Sequence, residues 1–329
     1  MFSARGHPKL EDAALDLRLF AISAVLNDDS RSRSLQLHAG TPVLGESPPP
    51  TAYTLCAMRS QLSVITPCYN DFDNLESTLT SLRRELRPGD ELVVVDSSAD
   101  RERVRILIER AELLAATRYV WIPPSGVYRA QNRGLSESTG AWIQIVNSGD
   151  RLLPGARRVI DEALVASPAI EIHVFSQQAT SKGGETYVFS PTSRSVWPHQ
   201  SIIVARCVYD VLGPYLENFP FGADQIFFAK ARKLRSWAIH PFILTEYLLG
   251  GLSAAVSFAN SREIYIVRRC LGEGRFKSFA AAFVLPLGRK LLEGLLGADR
   301  AIRIKTRLFR HYSSRSLSND RSRLTKDGR

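Results

Sequence analysis

The sequence predicts an α/β fold with a mostly parallel central sheet flanked by helices. Two observations carry this. Four short apolar runs alternate with helical stretches between residues 62 and 146. Each run is apolar on both faces, as strands of a parallel sheet are when helices cover both sides.

The elements follow in order. LSVIT (62–66) is the first strand, rich in β-branched residues. A helix follows at about 73–86, with Leu75, Leu79, Leu82 and Leu86 on one stripe. Asp73 is its candidate N-cap, with Glu76 three residues later. ELVVVD (91–96) is the second strand and 100–115 the second helix. YVWI (119–122) is the third strand, a short helix covers about 128–138, and AWIQIV (141–146) is the fourth strand. After residue 150 the alternation changes. A helix at about 154–166 leads to EIHVFSQQ and TYVFS, which read as an antiparallel hairpin. Helices are expected at 200–212 and 223–235, and 279–296 reads as an amphipathic segment that Pro286 and Gly288 kink.

Three regions are expected: an N-terminal extension at 1–60, an α/β domain at 61–255, and a basic helical region at 256–329. The extension holds one amphipathic stretch at 9–26 and then a Ser-, Pro- and Gly-rich linker expected to be poorly ordered. Met58 stands just before the first strand, and the natural start is expected there; intact mass of the native protein tests this.

Composition narrows the function classes. Four cysteines, none in a CxxC or His/Cys cluster, give neither a disulfide framework nor a zinc site and suit a reducing cytoplasm. No apolar run reaches the roughly 18 residues of a membrane span. Net charge is +10, but residues 300–329 alone carry ten Lys/Arg against two Asp, so the rest of the chain is nearly balanced. The helix and tail after 279 either dock on the α/β domain or lie on an anionic membrane surface. No motif supports specific nucleic-acid binding.

Ligands of open parallel sheets bind at the carboxyl ends of the strands. Those ends read TPCYND (66–71), DSS (96–98), PPSG (123–126) and NSGD (147–150), so two of the four present an Asp at the tip. Carboxylates gathered there suit ribose hydroxyls or a hard divalent cation holding phosphates. Neither G-x-G-x-x-G after the first strand nor GxxxxGK[ST] occurs, which disfavours a dinucleotide Rossmann site and a P-loop. Capping the next helix is an equal alternative for Asp96 alone. Asp150, four residues ahead of Pro154, is less well placed to cap.

LSVITPCYND, ELVVVDSSAD, GVYRAQNRGLSESTGAWIQIVNSGD, WPHQSIIV, FGADQIFFAKA and GGLS occur in the order seen in family 2 glycosyltransferases. The chain resembles that family over about 62–255, and within it the bacterial exopolysaccharide, colanic-acid-type, branch. The resemblance implies a GT-A (nucleotide-diphospho-sugar transferase) fold and sugar transfer with inversion from a nucleotide-diphosphate donor, UDP-sugar by default, to a glycan or lipid-linked acceptor. Such an enzyme would be cytoplasmic or peripheral at the inner face of the membrane. By that resemblance Thr66, Pro67, Tyr69, Asn70 and Asp96 would hold base and ribose. Arg129, Asn132 and Asn147 would line the donor pocket. Asp150 would be the ligand of Mn2+ or Mg2+, and Asp224 the base that takes the acceptor proton. His199 and Gln200 would touch acceptor or diphosphate, or hold the structure. Gly250–Ser253 would form a loop over the site.

The chain also departs from the family pattern. One carboxylate, Asp150, stands where an acidic pair is frequent, and Arg129 and Gln131 replace the Asp and Met of near relatives. Two other functions are weighed: a nucleotidyltransferase, which would need basic residues after the first strand that PCYNDFDN lacks, and a non-catalytic nucleotide-binding scaffold.

Overall fold

The computed structural model describes residues 61–180, 186–192, 196–219, 221–248 and 258–288. The expected stretch at 9–26, the linker, Met58, the 250–253 loop and the basic tail lie outside the described residues. The chain divides into two units, 1–255 and 256–329.

The first unit opens with β1 (Leu62–Cys68), α1 (Phe72–Glu85), β2 (Glu91–Asp96), α2 (Arg101–Arg110), β3 (Ala116–Trp121), α3 (Val127–Glu137) and β4 (Trp142–Ile145). It continues with β5 (Arg151–Leu152), α4 (Ala156–Ala166), β6 (Ile172–Thr180), β7 (Thr186–Phe189), β8 (Ile202–Ala205), α5 (Arg206–Leu212), α6 (Ala223–Leu234) and β9 (Trp237–Leu248). One sheet runs in the order β3-β2-β1-β4-β8-β6-β9-β5, with β7 paired to β6.

β1, β2 and β4 are buried along their whole length, which is why their sequences are apolar without alternation. The β3-β2-β1-β4 pairs are parallel, so their tips share one edge, with Cys68 level with Asp96 and Asp96 level with Trp121. β1 is flanked by β2 on one side and β4 on the other; this reversal of strand order opens a crevice at the carboxyl ends. Helix α3 packs closely on β1. A Cβ on Gly134 would stand 2.2 Å from Ile65 Cγ2, so only glycine fits.

Several expectations needed correction. The sheet is mixed: β3-β2-β1-β4 and the long β6–β9 pair are parallel, whereas β4–β8, β6–β8, β6–β7 and β5–β9 are antiparallel. The expected helix at 200–212 is a 3-10 turn (His199–Ser201), then strand β8, then the short helix α5. Ile202, Ile203 and Val204 are β-branched and fully buried between β4 and β6, so they favour the strand. β9 was not anticipated, because Pro241 interrupts its pattern; the register with β6 shifts twice around Ser176, close to the proline. Asp73 does not cap α1: that position belongs to Asp71, whose carboxylate takes the Asn74 side chain instead of a backbone N–H. The helix expected at 100–115 ends at Arg110, and the next strand begins at Ala116.

In the second unit, helix α7 (Phe258–Cys270) is followed by α8 (Arg275–Phe279) and a π turn at Ala280–Val284. The π turn lies just before Pro286, where a missing N–H and a ring clash disfavour regular α geometry. No helix among the described residues is long and apolar enough to cross a membrane.

Candidate active site

Three strand tips are stitched together by side chains. Asn70, at φ 50°, accepts from Ala99 N–H through its Oδ1 (3.0 Å), and its own N–H donates to Ser98 Oγ (2.8 Å). Asp71 accepts from Ser148 Oγ through Oδ2 (3.1 Å), tying the β1 tip to the β4 tip. Thr78 of α1 then fixes the end of β4: its hydroxyl accepts from Gly149 N–H (2.9 Å) and donates to the Asp150 carbonyl (2.8 Å). Gly149 has φ 97°, a conformation that glycine reaches without strain. On the far side, Arg151 pairs with Glu246 of β9 (2.7 Å).

These contacts set Asp150 in a buried position. Desolvation pushes its carboxyl up to about 7, against the opposing pull of His199 and a hydrogen bond from Gln200. Asp224, in the first turn of α6, is also buried, yet its proton affinity is lowered. Burial raises it, and His199, Tyr128 and Gln225 outweigh that. Tyr128 of α3 donates to Asp224 Oδ1 (2.8 Å) and Gln225 Nε2 to Oδ2 (2.7 Å). His199 Nδ1 stands 3.4 Å from the same Oδ2. Gln225 also exchanges hydrogen bonds with the Trp197 backbone (2.8 and 3.2 Å), which binds α6 to the segment carrying His199. Burial lowers the proton affinity of His199, but the hydrogen bond and charge of Asp224, together with Asp150, leave it raised.

The other expected residues divide. Tyr69 is exposed at the β1 tip, and Pro67 is buried with its carbonyl accepting from Ser148 N–H (3.2 Å). Thr66 is buried with no hydrogen-bond partner for its hydroxyl. Asp96 does not cap α2, which Asp100 caps through Arg103 N–H (3.1 Å). Its two oxygens accept from Ser98 N–H and Tyr119 OH, both at 2.8 Å. Arg129 is exposed, with no ion pair among the described residues. Asn132 turns elsewhere: its amide is held by Tyr215 N–H and carbonyl (both 2.9 Å) and by Glu217 (3.0 Å), so it secures the 213–219 loop.

Sequence reasoning missed Tyr128 and Gln225 altogether, and named Gln131 only as a departure from the family pattern. Tyr128 and Gln131 recur with Leu135 on the buried face of α3. Polar side chains on an amphipathic helix's buried face are the signal that could have found them.

A divalent ion fits this site only in a particular way. Among the described residues no group of three or more His, Cys, Asp or Glu is arranged to hold one. A single desolvated carboxylate suits a cation that takes its remaining ligands from substrate phosphates and water.

Residues 63–172 match the model of the family described as "Glycosyl transferase family 2". Among curated proteins, the chain is 24% identical over 135 residues to the uncharacterized glycosyltransferase YibD of Escherichia coli, covering 41% of this chain and 39% of that protein. It is 27% identical over 184 residues to the uncharacterized glycosyltransferase MT1564 of Mycobacterium tuberculosis, covering 52% of this chain and 68% of that one. The match thus spans well under half the length of the first relative. Two solved structures show the fold. The mannosyltransferase PcManGT from Pyrobaculum calidifontis, in complex with GDP-Man and Mn2+, has a TM-score of 0.52 at 16% identity, covering 93% of this chain and 88% of that one. S. aureus TarS 1–349, in complex with UDP-GlcNAc, has a TM-score of 0.51 at 17% identity, covering 68% and 71%. The fold is that of GT-A glycosyltransferases.

Proposed function

We propose that this chain, whose residues 63–172 are a family 2 glycosyltransferase domain, is a metal-dependent, inverting glycosyltransferase. It moves a sugar from a nucleotide-diphosphate sugar, a UDP-sugar by default, to a glycan or lipid-linked acceptor in surface polysaccharide synthesis of the exopolysaccharide type.

One observation carries the reading. Asp150 and Asp224 come from distant parts of the chain, both are buried near His199, and their proton affinities are displaced in opposite directions. Pairs of titratable groups pushed apart by their surroundings mark acid–base chemistry.

Asp224 stays ionised and accepts the proton of the acceptor hydroxyl while that oxygen attacks the anomeric carbon. The bond to the diphosphate breaks, and its electron pair leaves with the nucleotide. Mn2+ or Mg2+ at Asp150 would supply positive charge to the leaving diphosphate. Arg129, without an ion pair among the described residues, is free to meet phosphate. Thr66, Pro67, Tyr69 and Asn70, with Asp96 beneath, frame the base and ribose. Asn147, His199 and Gln200 lie between donor and acceptor. Asn132 contributes by holding the 213–219 loop.

The enzyme is read as cytoplasmic and peripheral at the membrane. In the second unit Phe276, Phe279, Leu285 and Leu287 are exposed beside Arg275 and Lys277. An apolar face next to basic charge suits an anionic lipid surface. Co-sedimentation with phosphatidylglycerol vesicles, absent with phosphatidylcholine alone, is the expected result.

The transferase reading is tested by Asp224→Asn in a sugar-transfer assay. Transfer is expected to fall by at least about 10²-fold while nucleotide binding survives. Full activity in the variant would refute the mechanism.

A further inference from the structure

A chain of side chains runs from α3 across the tip of β4 to the base. Gln131, 2% exposed, donates through Nε2 to Asn147 Oδ1 (3.1 Å). Asn147 Nδ2 lies 3.0 Å from His199 Nε2, and His199 Nδ1 lies 3.4 Å from Asp224 Oδ2. The Asn147 carbonyl also accepts the Asp150 N–H (2.9 Å). One residue therefore touches both the proposed metal-ligand loop and the histidine beside the base.

Gln131 makes this chain unusual. Its Oε1 is buried with no hydrogen-bond partner. An unpaired buried oxygen loses its hydration without replacement, so an apolar side chain would serve packing better. The spare oxygen has a use if the two amides turn over together. Asn147 would then present its oxygen to a His199 ring carrying a proton on Nε2, and its Nδ2 would donate to Gln131 Oε1. The chain is unbroken in either orientation, so the ring stays held in both, with one polar atom of the Gln131 amide spare each time.

We infer that Gln131 is a positioning residue for the transfer reaction: through Asn147 it fixes the His199 ring, and through that ring the carboxylate of Asp224. This rests on the assignment of Asp224 as the base. Gln131 touches neither Asp224 nor His199 directly, and no strand-tip or base motif includes it.

The test is Gln131→Leu, with Gln131→Met taking its place should the leucine variant not fold. In the nucleotide-free protein the ring-nitrogen resonances of His199, assigned by their loss in His199→Ala, are expected to move. In transfer assays kcat should fall about tenfold, with donor KM changed less than about twofold. The double variant with His199→Ala should be no slower than His199→Ala alone, because both act through one ring. Unmoved resonances, or losses that multiply in the double variant, overturn the relay. Absence of transfer by the wild-type protein would instead be failure of the transferase reading, a distinguishable result.

Discussion

Tyr128→Phe removes one oxygen from the protein and tests how Asp224, the proposed base, is held. The Tyr128 hydroxyl donates to Asp224 Oδ1 at 2.8 Å, and both side chains are buried. The phenol is pushed above its ordinary range, first by burial and then by the Asp224 charge, so it is a donor and not a phenolate. A hydrogen bond to a buried charge is worth about 1.5–3 kcal/mol. The ring still fills its place against Tyr215, 5.7 Å between centroids, so packing should be little disturbed. Losing the donor raises the proton affinity of Asp224. The sign follows: a carboxylate held below its unfolded value contributes stability above that value and loses it as pH falls through the folded one. The variant should therefore be less stable by about 1.5–3 kcal/mol at neutral pH, with the difference from wild type shrinking in acid. In activity, the acid limb of the kcat/KM profile should move to higher pH. Equilibrium denaturation and a pH series of transfer rates measure both. A variant with wild-type stability and an unmoved acid limb would refute the view that Tyr128 holds Asp224 ionised.

Two further predictions concern the scaffold. His173 is buried, with Nδ1 3.0 Å from His240 Nε2, and burial followed by its neighbour lowers it from 6.5 to about 4. The folded state excludes that proton, so stability should be full above about pH 6.5 and fall by about 3 kcal/mol on the way to pH 4; chemical denaturation of His173→Phe should lack that share of the acid loss. At the other end of the sheet, Arg157 Nε and Nη2 donate to Asp90 (3.0 and 3.1 Å), and both groups are buried. Arg157→Met leaves the Asp90 charge unpaired and should cost about 3–5 kcal/mol in denaturant melts, whereas Arg157→Met with Asp90→Asn, which keeps an acceptor for the Leu62 and Arg87 N–H groups, should recover part of it.

The parallel half of the fold was legible because β1, β2 and β4 are buried on both faces, and burial writes itself as unbroken apolar runs. β8 was misread because HQSIIVARCVYDVL joins a strand to a helix without a glycine or proline between them. β9 was lost to Pro241, which the shifting register with β6 absorbs. The strand-tip residues could be named because fold topology fixes which ends converge. What surrounds Asp224 could not. Tyr128 is 96 residues away and Gln131 acts through Asn147, so neither contact has a local signature. Asn132 was read as donor-facing because the family resemblance places its stretch at the donor pocket, yet tertiary contacts turn it to the 213–219 loop.

On the proposed function, the β4 tip holds a nucleotide diphosphate through a metal at Asp150. Calorimetric titration with UDP and with GDP, each with Mn2+ and with EDTA, tests it most directly. It should be run at pH 8, where a carboxyl pushed up to about 7 is mostly ionised. One nucleotide is expected to bind with Mn2+, to lose binding with EDTA, and to lose it again in Asp150→Ala. Metal-independent binding that Asp150→Ala leaves unchanged, or no binding under any condition, would contradict it.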